Sequence, residues 1–184
     1  YALQDYVGAD KVNAALGEFL ADYAFKSAPY PTSRDLLASI RAHAGPDAQA
    51  MIDDLFENIV IYDLKTRTAF YEQLADGRYE VTLDLQASKL QADGYGEESS
   101  LRLNDSLDVA VLGEVPAAGQ SAEVLYLQKV AIEDGQSVIK ITVDKKPVSA
   151  GIDPFNKMID RLPDDNIKQV LPLTPAALQM VPPS

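Results

Sequence analysis

The spacing of apolar residues along the chain changes near Asn58. Before that point, a first set recurs at three- and four-residue steps: Val12, Leu16, Phe19, Leu20 and Tyr23. This spacing places them on one face of a helix, for which Asp10 is the expected N-terminal cap. Two further stripes predict two more helices: Leu36, Leu37 and Ile40, then Met51, Ile52, Leu55 and Phe56. Residues 1–57 are therefore predicted to form a segment of three helices.

Glycine, proline and capping residues indicate where these helices begin and end. Two prolines in Ser27–Pro31 should end the first helix, because proline disfavours helix at the residue before it. Thr32 then stands three residues before Asp35, which is the spacing of a capping box. Gly45 and Pro46 are expected to end the second helix and start the third.

Beyond Asn58 the apolar residues alternate with polar ones, as in strands that have one buried side. The clearest run is Tyr79–Ser88, preceded by a β-rich run over Ile59–Leu74 and a hairpin signal at Asp76-Gly77. Three more alternating runs begin near Leu107, Val124 and Ile139. Strands joined without helices between them favour an antiparallel sheet folded over itself. Residues 58–150 are therefore predicted to form a β-sandwich.

Residues 151–184 show neither period. Gly151–Asn166 is rich in Asp, Asn and Pro, which fix turns through side-chain hydrogen bonds. We expect an irregular tail that packs back on the domains, with its last ten or so residues weakly ordered. The predicted fold class is thus α+β: three helices, an antiparallel sandwich and a tail.

Composition serves mainly to exclude classes of function. The formal net charge of −12 repels phosphate backbones, so we expect no nucleic-acid partner. The chain has no cysteine, which excludes disulfides, thiolate metal sites and cysteine nucleophiles. No apolar run approaches the roughly 18–20 residues of a membrane span, so no direct membrane insertion is expected. The chain begins at Tyr1 and is interpreted as a piece of a larger protein.

Few residues are candidates for chemistry. His43, the single histidine, falls at the end of a predicted helix, where it can bond the last carbonyl groups. One histidine without cysteine makes a self-contained zinc site improbable. A serine-hydrolase triad would need His43 as its relay, and no G-x-S-x-G sequence is present. A glycine-rich phosphate loop is also absent from the sequence.

Acidic residues cluster in the tail and again before a predicted strand. The tail cluster could hold calcium, but its spacing does not match an EF-hand loop, and a turn at Asp153-Pro154 is favoured. The second cluster, Asn104–Asp108, is interpreted as the entry of a strand. The two clusters are Asp153, Asp160, Asp164 and Asp165, and Asn104, Asp105, Ser106 and Asp108. We assign no catalytic, cofactor-binding or metal-binding residue in this chain.

The order of these segments resembles a known family. The helical motifs are similar to the closing helices of the catalytic domain of aminopeptidase N-like zinc metallopeptidases (gluzincins): Asp22–Phe25, Pro31–Leu37, Gly45–Asp47 and Ile52–Phe56. Over Ala15–Val170 the chain more specifically resembles the C-terminal end of bacterial proteins in which such a domain is fused to an ABC-transporter permease. The motifs that carry this are Pro29–Ser33, Asp53–Glu57, Tyr79–Leu83, Gly151–Lys157 and Pro163–Asn166.

The resemblance implies an immunoglobulin-like sandwich and a non-catalytic, C-terminal scaffold fragment. The family's H-E-x-x-H zinc motif and G-x-M-E-N loop match no position here, and the family's tryptophan is missing. Zinc is therefore expected in the parent's upstream catalytic domain, which would be this fragment's partner, and no cofactor is expected in the fragment. The implied location is the soluble part of a bacterial inner-membrane protein. The alternative is a protein-binding or adhesion-type β-sandwich module.

Overall fold

The structure, a computed structural model, describes residues 2–174 of the 184. It divides into two compact units: a helical unit of residues 2–60 with 92–95, and a β-rich unit of residues 61–91 with 96–174. Helices precede two sheets of mainly antiparallel strands, which confirms the predicted α+β class. The predicted weak order of the last ten or so residues lies outside the described part of the chain.

The helical unit contains the three predicted helices and a short one before them. They are α1 (Ala2–Val7), α2 (Ala9–Tyr23), α3 (Ser33–Ala44) and α4 (Gln49–Phe56), with a 3-10 turn at Pro46–Ala48. The prediction of Asp10 as a cap was wrong, because α2 already begins at Ala9 after Gly8, whose φ is +99°. The capping box is confirmed: the Thr32 amide donates to the Asp35 carboxylate at 2.7 Å, and the Thr32 hydroxyl accepts from the Arg34 amide at 3.3 Å.

The core of the helical unit is small. Its fully buried members are Val7, Ala15, Ile40, Ala44 and Ile52. Ala15 brings α2 close to α3, where the Ser39 hydroxyl donates to the Ala15 carbonyl at 2.8 Å. Because α2 is buried on the Ala15 side, Leu16 and Leu20 remain 41% and 60% exposed, although their spacing placed them on the predicted buried face.

The β-rich unit contains nine strands. They are β1 (Ile59–Gln73), β2 (Tyr79–Ala92), β3 (Glu98–Leu101), β4 (Asn104–Leu112), β5 (Val124–Glu133), β6 (Gly135–Val143), β7 (Ser149–Ile152), β8 (Ile167–Gln169) and β9 (Leu171–Pro172). One sheet has the order β3-β2-β1-β9, with β6 also paired to β2, and the other has the order β5-β4-β7-β8. The apolar side chains of the predicted alternation are buried along β2 and β4: Val81, Leu83, Leu85, Leu107, Val109 and Val111. The prediction that the other side of these strands is wet was wrong, because Thr82, Asp84, Asp108 and Ala110 are buried as well.

The tail contributes to both sheets. Asp160 forms a parallel bridge to Tyr62 of β1. The chain then joins the second sheet, where β8 pairs antiparallel with β7, and returns to pair β9 in parallel with β1. The tail therefore passes from one sheet to the other and back along one side of this unit.

A close approach of three backbone segments occurs where the tail changes sheet. The carbonyl oxygen of Asn166 accepts from the Thr66 hydroxyl of β1 at 2.5 Å and from the Ile152 amide of β7 at 3.1 Å. A Cβ atom on Gly151 would lie 2.0 Å from this same oxygen and 2.5 Å from the Thr66 hydroxyl. Only glycine fits at position 151 because these contacts leave no room for a side chain.

We predict that Gly151→Ala destabilises the β-rich unit by about 3 kcal/mol, the upper end of the usual cost of overpacking, because a backbone carbonyl cannot move aside as a side-chain end can. Gly94→Ala is the control, since a Cβ there meets nothing within 4 Å. Urea unfolding followed by circular dichroism measures both variants. Equal stability of the two variants would contradict the close approach.

Candidate functional site

The candidate site is a set of buried polar contacts in the β-rich unit, where the tail loop (residues 153–166) meets β1 and β4. Among residues 2–174, no three His, Asp or Glu side chains come together as metal ligands. The acidic residues singled out from the sequence instead make four sets of contacts, centred on Asp108, on Asp153, on Asp105 and on the end of the tail loop.

Asp108 of β4 accepts from two lysines. Its carboxylate lies 2.9 Å from Lys129 Nζ and 2.6 Å from Lys157 Nζ, and the residue is 7% exposed. Lys129 is its partner in the antiparallel register of β4 and β5, whereas Lys157 comes from the tail loop. Loss of the Asp108 carboxylate would leave both lysine ammonium groups without this partner, which is costly for partly buried charges. The contact with Lys157 therefore ties the tail loop to β4.

Asp153 forms the turn that begins the tail loop. Its φ is +43°, and its two carboxylate oxygens accept from the amides of Lys157 and Met158, both at 3.0 Å. Burial raises the pKa of this carboxyl, the two amide bonds oppose that rise, and the nearby Asp108 and Asp160 carboxylates add to it. Asp153 thus acts as a buried cap for the loop backbone.

Asp105 belongs to a second buried contact. Its carboxylate accepts from the Tyr62 hydroxyl at 2.7 Å and from Lys89 Nζ at 2.9 Å, and Lys89 also lies 5.5 Å from the centre of the Tyr62 ring. The sequence analysis did not select Tyr62 or Lys89. A signal was present, since Lys89 continues the inward alternation of Val81 to Ala87, where a charged residue needs a buried partner.

His43 lies in the last turn of α3, as its position predicted. Its Nδ1 lies 2.9 Å from the carbonyl oxygen of Ser39, so that nitrogen is the donor, and its Nε2 lies 3.3 Å from a Glu18 carboxylate oxygen. Both contacts of this imidazole are within the helical unit, one with α3 and one with α2.

The end of the tail loop holds buried polar atoms that lack hydrogen-bond partners among the described residues. They are Asp160 Oδ2, Asp165 Oδ1, and Oδ1 and Nδ2 of Asn166. Asp164, by contrast, is exposed. Asp160 and Asp165 were expected to cluster with Asp153, but the two carboxylate oxygens of Asp153 accept from the amides of Lys157 and Met158.

Neither a protein-family model nor a curated protein matches this chain. Within residues 2–174, no helix combines the length and the apolar character that crossing a membrane requires.

Asp153 gives a prediction for the pH dependence of stability. Its folded-state pKa lies above the ordinary 3.8, so its contribution to stability is fully present below pH 3.8 and is lost as pH rises through the raised value. We therefore expect the free energy of unfolding of the native chain, relative to that of Asp153→Asn, to fall as the pH rises over that range. Urea unfolding of both proteins in steps from pH 3 to pH 7 measures it. A difference that is constant or moves the other way contradicts the assignment.

Proposed function

We propose that this chain is a non-catalytic scaffold module from the C-terminal part of a membrane-associated, aminopeptidase-like zinc metallopeptidase of the type fused to an ABC-transporter permease. The helical unit docks against the upstream catalytic domain of the same parent chain, and the sandwich supports that catalytic domain. Zinc belongs to that upstream domain and activates water there. The proposal extends the sequence resemblance over Ala15–Val170.

The observation that carries the proposal is the apolar surface of the helical unit. Leu16 and Leu20 lie one turn apart on α2 and are largely exposed, and the Phe25 ring beyond the helix is fully exposed. Phe56 at the end of α4 is half exposed as well. A contiguous apolar patch is typical of a surface that another protein covers, and Leu16 and Leu20, adjacent on one face of α2, are the pair on which we base this surface.

The β-rich unit supports a structural role. The Asp105 and Asp108 carboxylates are each held by lysine ammonium groups, and the Asp153 carboxylate is held by backbone amides. A carboxylate held in this way orders the loop that contacts it. These contacts fit a rigid buttress whose shape depends on the tail loop.

A second candidate function is a protein-binding module that uses a sheet edge. Strand β5 is at the end of the four-stranded sheet, spans ten residues and leaves Val124 and Leu127 exposed. A long edge strand offers unpaired backbone groups to an extended partner segment. In this case the partner would bind β5 rather than the helices.

The experiment is a binding titration with the separately expressed upstream domain of the parent gene. We expect Leu20→Glu to weaken binding at least about tenfold, because it places a charge in an apolar contact. Ala21→Glu is the matched control, since it adds the same charge to an exposed position of α2. Leu127→Lys tests the β5 edge in the same titration.

Loss of binding with Leu20→Glu alone supports docking through the helices, and loss with Leu127→Lys alone supports the edge-strand alternative. Equal binding by Leu20→Glu and Ala21→Glu contradicts the helical docking surface. A parent gene with no H-E-x-x-H sequence upstream of this segment contradicts the assignment to a zinc metallopeptidase.

A further inference from the structure

Three neighbouring side chains at the end of the tail loop have unmet hydrogen-bonding capacity. Asp160 Oδ2, Asp165 Oδ1 and both amide atoms of Asn166 are buried and lack partners among the described residues. Asn166 is 0% exposed. An unpaired buried polar group costs about 1–3 kcal/mol, and a charged one costs more. In folded proteins such atoms call for a bound water or ion.

These side chains lie beside one short stretch of β1. Each of the three residues is fixed to a different one of three consecutive β1 residues: Asp160 Oδ1 to the Leu64 amide at 3.4 Å, Asp165 Oδ2 to Lys65 Nζ at 2.7 Å, and the Asn166 carbonyl to the Thr66 hydroxyl at 2.5 Å. The backbone positions of three consecutive strand residues span only about 7 Å, so the three tail residues are held along one short stretch of β1.

Two hydrogen bonds within the loop also hold residues 160–165 together. The Leu162 amide donates to Asp160 Oδ1 at 3.2 Å, and the Leu162 carbonyl accepts from the Asp165 amide, also at 3.2 Å. One oxygen of each carboxylate is therefore fixed by the protein, while the other oxygen is buried and unpaired. The Asp165 side chain retains 15% exposure, which leaves a route from solvent.

We propose that this loop binds one Ca²⁺ ion, with Asp160 Oδ2, Asp165 Oδ1 and Asn166 Oδ1 as its protein ligands. All three are oxygen acceptors, and two belong to carboxylates, so the complement they need is positive charge. Ca²⁺ takes six to eight oxygens in irregular geometry, including waters, and one such water can accept from Asn166 Nδ2.

The charge balance favours a cation over a neutral water. Two carboxylates face one ammonium group, Lys65, which leaves the site one negative charge in excess. The proposed ligands are two carboxylates and one side-chain amide, so the site is not a purely acidic cluster. It also differs from the group considered in the sequence, because Asp153 is occupied by two amides and Asp164 is exposed.

The test is thermal unfolding of the full 184-residue chain in 10 mM CaCl2 and in EDTA. A weak site with a dissociation constant of about 10⁻⁴–10⁻³ M raises the melting temperature of the native chain by several degrees. Asp160→Asn, which keeps an oxygen that can accept from the two amides, removes most of the rise. Asp164→Asn, the neighbouring exposed carboxylate, keeps it.

A second variant keeps the test decisive if Asp160→Asn fails to fold. Asn166→Asp adds a third carboxylate, so we expect it to be less stable than the native chain in EDTA and to gain more from CaCl2. No rise in the native chain overturns the proposal, as does an equal rise in Asp160→Asn. Amide NMR shifts on CaCl2 addition that occur at exposed carboxylates such as Asp164 and spare residues 160–166 also overturn it.

Discussion

The backbone carbonyl of Asn166 is the contact on which the β-rich unit depends. It accepts from Thr66 in one sheet and from Ile152 in the other, so a single oxygen ties both sheets to the tail. Gly151 is required beside it because a side chain would occupy the same space. The tail enters the second sheet at this point, since β8 pairs with β7 immediately after it, and it returns to the first sheet where β9 pairs with β1.

Buried charged side chains of the β-rich unit also hold the tail loop in place. Asp153 holds the start of the tail loop through two amides, and Lys157 brings the loop to Asp108 of β4. Each of these groups is costly to bury alone and stable only with its partner. The position of the loop is therefore determined jointly by hydrogen bonds at Asn166 and by charges at Asp153 and Asp108. Such a loop is held to the sandwich at both of its ends.

Local sequence patterns predicted the helices and strands, but they did not predict which distant residues pair with each other. The capping residues at Thr32 and the alternation over Tyr79–Ser88 depend on neighbours within a few positions, so the sequence contained them. The exposure of Leu16 and Leu20 depends instead on which side of α2 meets α3. Likewise, the partners of Asp105 come from strands 16 and 43 positions away, and periodicity carries no information about such pairs.

If the tail is an integral part of the sandwich, its amides are protected as strongly as those of the core strands, and native-state hydrogen exchange measures this protection. The informative amides are those of Ile152 and Arg161, which donate to Asn166 and Tyr62, compared with Val109 in the centre of β4. We expect all three amides to exchange at similarly slow rates, because the tail opens only when the sandwich unfolds. Fast exchange at Ile152 and Arg161 with slow exchange at Val109 would contradict it.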